Sequence, residues 1–85
     1  MNKLTREFLE EQITKVEYQH LPDSTTVLCI IWLKSGFVVT GESACIEPAV
    51  FCWGTGGQIA YEKAFDKLWE LFGFYVKQKA FEEQQ

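Results

Sequence analysis

Positive charge is scarce in this 85-residue chain. Eight lysines and arginines face twelve acidic residues, the formal net charge is −4, and Arg6 is the sole arginine. Neutralising an extended phosphate backbone takes a clustered basic surface, so extended nucleic acid is excluded as a partner. A compact phosphate ligand is not, because a pocket needs only one or two cations and a few backbone N–H groups. Cysteine is limited to Cys29, Cys45 and Cys52. An odd number without paired spacing argues against a disulfide framework and matches no paired-ligand zinc pattern. His20 is the only histidine, so any nucleophile–histidine scheme or multi-histidine metal site has a single base to draw on. No catalytic residue, metal or cofactor is expected. Long apolar runs are missing too: the longest, Val27 to Leu33, is far below the roughly 20 residues that span a bilayer. The opening from Met1 to Glu7 lacks the apolar core of a signal peptide. The expectation is a cytoplasmic protein with no membrane partner.

What the chain does have is apolar mass, with 47% hydrophobic and 15% aromatic residues in 9.8 kDa. That length allows one domain, 1–85, and a domain so small buries too little surface for comfortable stability. Self-association is the natural supplement, and some of the rings are expected outside a monomer core.

The pattern reads as α+β. Leu4, Phe8, Leu9 and Ile13 fall at helical spacing after Thr5, a candidate N-cap, so a short N-terminal helix is expected. Lys15 to His20 alternates, with Val16, Tyr18 and His20 on one side, as a half-buried edge strand does. His20 is therefore expected to be a partly buried structural residue. Leu21-Pro22-Asp23-Ser24 is turn chemistry. Thr25 to Leu33 is the strongest strand signal and is expected at the centre of the sheet. Lys34-Ser35-Gly36 then turns the chain into Phe37 to Glu42, completing a hairpin and a three-stranded antiparallel sheet. Between Ser43 and Gly57 the periodicity stops, which predicts a long loop. Gln58 to Phe72 resumes at helical spacing, Gly73 is placed to cap or bend it, and Phe74 to Phe81 continues, so a C-terminal helix or helix pair packs on the sheet. Its apolar arc is wider than one sheet face requires.

Two segments carry candidate binding chemistry. Trp53-Gly54-Thr55-Gly56-Gly57-Gln58, just before the predicted helix, would expose N–H groups as an anion cradle or form a plain flexible loop. Thr40-Gly41-Glu42-Ser43 ends the last predicted strand with hydroxyls, a carboxylate and a glycine that admits another backbone or a ligand. These groups suit ribose and base edges, and they suit loop-anchoring hydrogen bonds equally well. Tyr61, Glu62, Lys63, Asp66 and Lys67 form a polar helix face, where Lys63 and Lys67 reinforce each other's positive field. That face is either a local phosphate site or simply solvated.

The block Leu33-Lys34-Ser35-Gly36-Phe37-Val38-Val39-Thr40-Gly41-Glu42-Ser43-Ala44-Cys45, followed by Pro48, Phe51, Ile59-Ala60-Tyr61-Glu62-Lys63-Ala64, Lys67-Leu68-Trp69 and Gly73-Phe74, closely resembles a family of short conserved phage proteins. These come from podovirus-type and other tailed-phage genomes. The opening Thr5-Arg6-Glu7 and Ile13 share the likeness, which covers nearly the whole chain. Two departures stand out. The Cys52 to Gly57 stretch replaces an acidic one, which weakens a family-wide anion cradle there, and Glu70 stands where a proline often follows the helix tryptophan, which should leave this helix straighter. The family's function is largely unassigned. Its outline is similar to that of phage anti-defence sponges, which sequester nucleotide second messengers of the Thoeris and cyclic-oligonucleotide (CBASS) immune systems.

That likeness implies a homo-oligomer in the host cytoplasm that binds a cyclic or nucleotide-derived signal without hydrolysing it. Its pocket would lie between the strand end, the following loop and the Gln58 to Lys67 helix, with a neighbouring subunit completing it. Thr40, Glu42 and Ser43 would read ribose and base, Trp53 or Tyr61 would stack, Gln58 would line the helix start, and Lys63 or Lys67 would face phosphate. The alternative is a protein-interaction module that binds and inhibits a host enzyme or defence protein through the apolar helix face.

Overall fold

In a computed structural model, residues 4–44 and 53–84 are described, Trp53 by its backbone alone. Thr5 caps the first helix, α1 (Arg6–Glu11), by accepting a hydrogen bond from the Phe8 amide at 3.0 Å. Only Leu9 of this helix is fully buried. Strands β1 (Ile13–His20), β2 (Thr26–Leu33) and β3 (Val38–Ala44) follow in an antiparallel sheet of order β1-β2-β3, which puts the most apolar segment at the centre. The last element, α2 (Trp53–Glu83), is one continuous helix of 31 residues.

The strand that alternation places at Lys15 begins earlier, at Ile13. A register shift between Ile13 and Lys15 puts Ile13 opposite Leu33 and Lys15 opposite Trp32, and the Thr14 hydroxyl donates to the Trp32 carbonyl at 3.3 Å. This bulge lets Ile13 and Val16 face the same side despite their odd spacing. The β1–β2 turn stands Asp23 at φ 58, a conformation aspartate tolerates better than most residues. Ser24 braces the turn, its hydroxyl donating to the Leu21 carbonyl at 2.7 Å while accepting from the Thr26 amide at 3.1 Å. At the second turn Gly36 adopts φ 93, as its position required, and the Lys34 amide donates to the Gln12 carbonyl at 2.9 Å, tying the hairpin to the end of α1.

Along β2 every second side chain, Val27, Cys29, Ile31 and Leu33, is buried beneath α2. Leu9, Val39, Ala60, Ala64, Phe65 and Leu68 complete the core. The helix crosses β3 at Gly41, where an added Cβ would fall inside contact distance of the Ala64 amide nitrogen and the Ala60 carbonyl oxygen. The backbone that this glycine admits is therefore α2 itself.

Two expectations are corrected. Gly54, Gly56 and Gly57 lie within the first turns of α2, not in a loop ahead of it, and the remaining loop positions, 45–52, are outside the described residues. Glycine disfavours a helix interior by about 1 kcal/mol each. Packing explains the exception: a Cβ at Gly56 would sit 3.2 Å from Val27 Cγ2 and one at Gly57 would sit 3.5 Å from Tyr18 Cε1, so bare backbone lets the helix start press onto the sheet. Of the two roles open to Gly73, capping is not taken: α2 continues through it as one helix, the single-helix form of the expected helix or helix pair. His20 is exposed at the end of β1, where Nε2 pairs with the Ser24 carbonyl at 2.7 Å; it braces a turn and is not a core residue.

At about 1.5 Å per residue α2 is roughly 46 Å long, nearly twice the reach of strands of this size. Its final turns therefore project past the sheet, and the molecule measures 57 × 20 × 19 Å. The radius of gyration is 15.8 Å, whereas a compact domain of this length has about 12 Å.

Candidate functional site

The inward flank of α2 facing α1 is held by Arg6. Its guanidinium bonds Glu62 at 2.8 Å and Glu10 at 3.3 Å and stacks over the Phe65 ring at 4.2 Å. The hydrogen bond to Glu62 is the main reason its pKa is raised. Glu62 is thus engaged by α1.

On the opposite flank α2 meets the edge strand β3. Because Gly41 offers no side chain, Lys63 and Lys67, one helical turn apart, reach around that edge to meet Thr40 and Glu42 on the outer face of the sheet. Together with Leu28, the neighbour of Glu42 in the ladder, they enclose a half-open cleft of about 290 Å³. Among the described residues no carboxylate lies within ion-pair distance of either lysine. The cleft is locally positive on a negative protein. It offers two ammonium groups for an anion, a hydroxyl that both donates and accepts, and a carboxylate able to take hydrogen bonds from ribose hydroxyls or base amino groups.

Four of the eight candidate residues, Thr40, Glu42, Lys63 and Lys67, are therefore brought together. The others are not. Ser43 is buried and donates to the Gly56 carbonyl at 2.7 Å, which fastens the end of β3 to the start of α2. Gln58 and Tyr61 line a separate depression of about 460 Å³ on the β1 side of the helix, beside Tyr18, Gly54 and Gly57. The side chain of Trp53, and Cys45 and Cys52, are outside the described residues.

Tyr18 was not among the sequence candidates, although its place in an alternating strand signals a ring on the helix side. Its ladder partner is Cys29, a free thiol at the centre of the sheet. Burial pushes up the Cys29 thiol and the Tyr18 and Tyr61 phenols. The folded chain holds these protons more tightly than the unfolded one. Their contribution to stability is therefore complete below the ordinary thiol value of 9.0 and declines as pH rises through it. The urea midpoint is expected to fall between pH 8 and pH 10.5, and Cys29→Val should flatten part of that fall. A midpoint that rises over the same range would show that these groups are not held neutral by the fold.

A third hollow, apolar and about 630 Å³, opens where α2 leaves the sheet, between Phe8 of α1, Phe37 of the hairpin, and Leu71, Phe72 and Tyr75. Phe8 and Phe72 meet edge to face at 5.8 Å across its floor. No metal-binding cluster of His, Cys, Asp or Glu occurs among the described residues. No helix among them is long and apolar enough to cross a membrane.

Compared with known proteins, residues 4–80 match the model of a family described as phage protein (N4 Gp49/phage Sf6 gene 66). No curated protein and no solved structure matches.

Proposed function

The chain belongs to this family of phage proteins, and from that premise we propose that it is an anti-defence binding protein acting in the host cytoplasm. It sequesters a cyclic or nucleotide-derived immune signal and does not hydrolyse it. The observation that carries this reading is the convergence of Lys63 and Lys67 with Thr40 and Glu42 around the bare backbone of Gly41. Paired cations meet phosphate while hydroxyl and carboxylate meet ribose or base, which is how small sites combine affinity with orientation. Two cations, a hydroxyl and a carboxylate around one small cleft suit stoichiometric capture.

Native mass spectrometry after incubation with cyclic di- and trinucleotides and cyclic ADP-ribose isomers tests this. The expected result is an intact nucleotide retained by the folded protein. The double substitution Lys63→Glu, Lys67→Glu is expected to weaken binding by about 100-fold or more, since charge-assisted hydrogen bonds contribute about 1.5–3 kcal/mol each. Nucleotide binding that survives the double substitution would place the site elsewhere, and recovery of altered nucleotide would make the protein an enzyme.

A second reading draws support from the apolar hollow beside Phe37 and Tyr75. Those side chains are more than half exposed, and large exposed apolar surfaces mark protein contacts. In that reading the protein is an interaction module that binds and inhibits a host enzyme or defence protein. A spectrum free of every nucleotide in the panel would favour it.

A further inference from the structure

Towards its C-terminus α2 projects past the sheet, with Tyr75 still lining a hollow with Phe8 and Phe37, yet this arm is not a polar one. Lys67, Leu71, Phe74, Gln78 and Phe81 recur at alternating spacings of four and three residues, the period of a helix-pairing seam. Leu71 is 39% exposed, Phe74 69% and Phe81 56%. A strip of helix with such rings in water, extending a molecule already longer than its size requires, is half of an interface.

We propose that a second copy of the chain covers this seam, arm against arm, in antiparallel orientation. Charge decides the occupant and its direction. Glu70 and Lys77 flank the seam on the same side, each preceding a seam residue, and neither forms an ion pair among the described residues. In an antiparallel pair, flanks of the same kind face each other. Setting Leu71 against Phe74 of the second copy, and Phe74 against its Leu71, then brings Glu70 opposite Lys77 twice, once on each side of the two-fold axis.

A parallel pair puts Glu70 opposite Tyr75 instead. It also brings both β3 edges and both Phe37 rings to one level within the about 8–10 Å that separates packed helices, where they collide. The antiparallel arrangement sets Phe74 and Gln78 of the second copy along the depression of about 430 Å³ beside β3, lined by Phe37, Val38, Thr40, Lys67 and Leu71. Lys67 belongs to both the seam and the lysine cleft, so the dimer is tested without nucleotide and through Glu70, Phe74 and Lys77, which the nucleotide reading does not use.

Sedimentation equilibrium on the full chain tests the proposal. The wild type is expected at twice 9.8 kDa. Phe74→Asp, at an exposed position that leaves the monomer core intact, should raise the dissociation constant by about 100-fold or more. Glu70→Lys should weaken the dimer about ten-fold by setting ammonium groups together, and adding Lys77→Glu should restore it by exchanging the pair. A wild-type chain that stays monomeric at NMR concentrations overturns the proposal. So does a dimer that ignores Phe74→Asp, or one in which Glu70→Lys is harmless or the exchanged pair fails to rescue.

Discussion

Gly41→Ala is expected to lower Tm by about 12–24 °C, although it adds a single methyl group. The reason is what that methyl would meet: besides the Ala64 nitrogen and Ala60 oxygen, it would stand 2.9 Å from Ala64 Cα. All three are helix backbone, which cannot rotate away as a side chain can. Relief requires lifting α2 off β3, and with it the burial of Ala60, Ala64 and Val39. Overpacking a tight core typically costs about 1–3 kcal/mol, and a rigid backbone neighbour puts this case at the upper end. A chain of this length has only about 4–13 kcal/mol to lose, and each kcal/mol moves Tm by about 4–8 °C at this size. Differential scanning calorimetry gives the answer. A shift under about 2 °C would mean that the helix does not cross the sheet at this glycine.

Phe65→Ala is expected to cost about 3–5 kcal/mol. Among the described residues Phe65 is the largest fully buried side chain, beside the Tyr61 ring at 5.8 Å and beneath the Arg6 guanidinium. Deleting it opens a cavity in the centre of the core and also removes the surface on which Arg6 rests. The exposed Arg6–Glu62 pair is screened by water and cannot hold α1 in place alone. Amide exchange should therefore accelerate through α1 beyond the global loss of stability. Urea unfolding of Phe65→Ala and Phe65→Leu measures the effect, with leucine recovering much of it by refilling the volume. Equal midpoints for wild type and Phe65→Ala would remove Phe65 from the core.

Most of the architecture was legible because strands and helices differ in period. Val27 to Leu33 could only be a strand buried at its centre, and the Gly36 turn fixed its partner. Legibility failed where tertiary contact overrode local preference. Gly54, Gly56 and Gly57 look like loop residues and become helix because Val27 and Tyr18 lie against their backbone. Gly73 looks like a stop and is passed through, since it sits in a helix already propagating in both directions. Of the candidate site, Thr40, Glu42, Lys63 and Lys67 were readable as chemistry but not as neighbours, because their meeting depends on the closeness of α2 at Gly41. Ser43 could not be told from a ligand-reading hydroxyl until its hydrogen bond to Gly56 was seen. Tyr61 and Lys63 are near neighbours in sequence and face opposite flanks of one helix, a divergence that 3.6 residues per turn implies but that only matters once the sheet says which flank is which.

The projecting arm of α2 has a hydrodynamic consequence as well. A rod about three times as long as it is wide drags more solvent than a sphere of equal mass, so the isolated chain will travel through a gel-filtration column ahead of globular standards of its weight. Elution volume alone would then give a single copy the look of a pair. Only a method whose readout is independent of shape, such as light scattering or sedimentation to equilibrium, separates an extended monomer from two chains laid side by side.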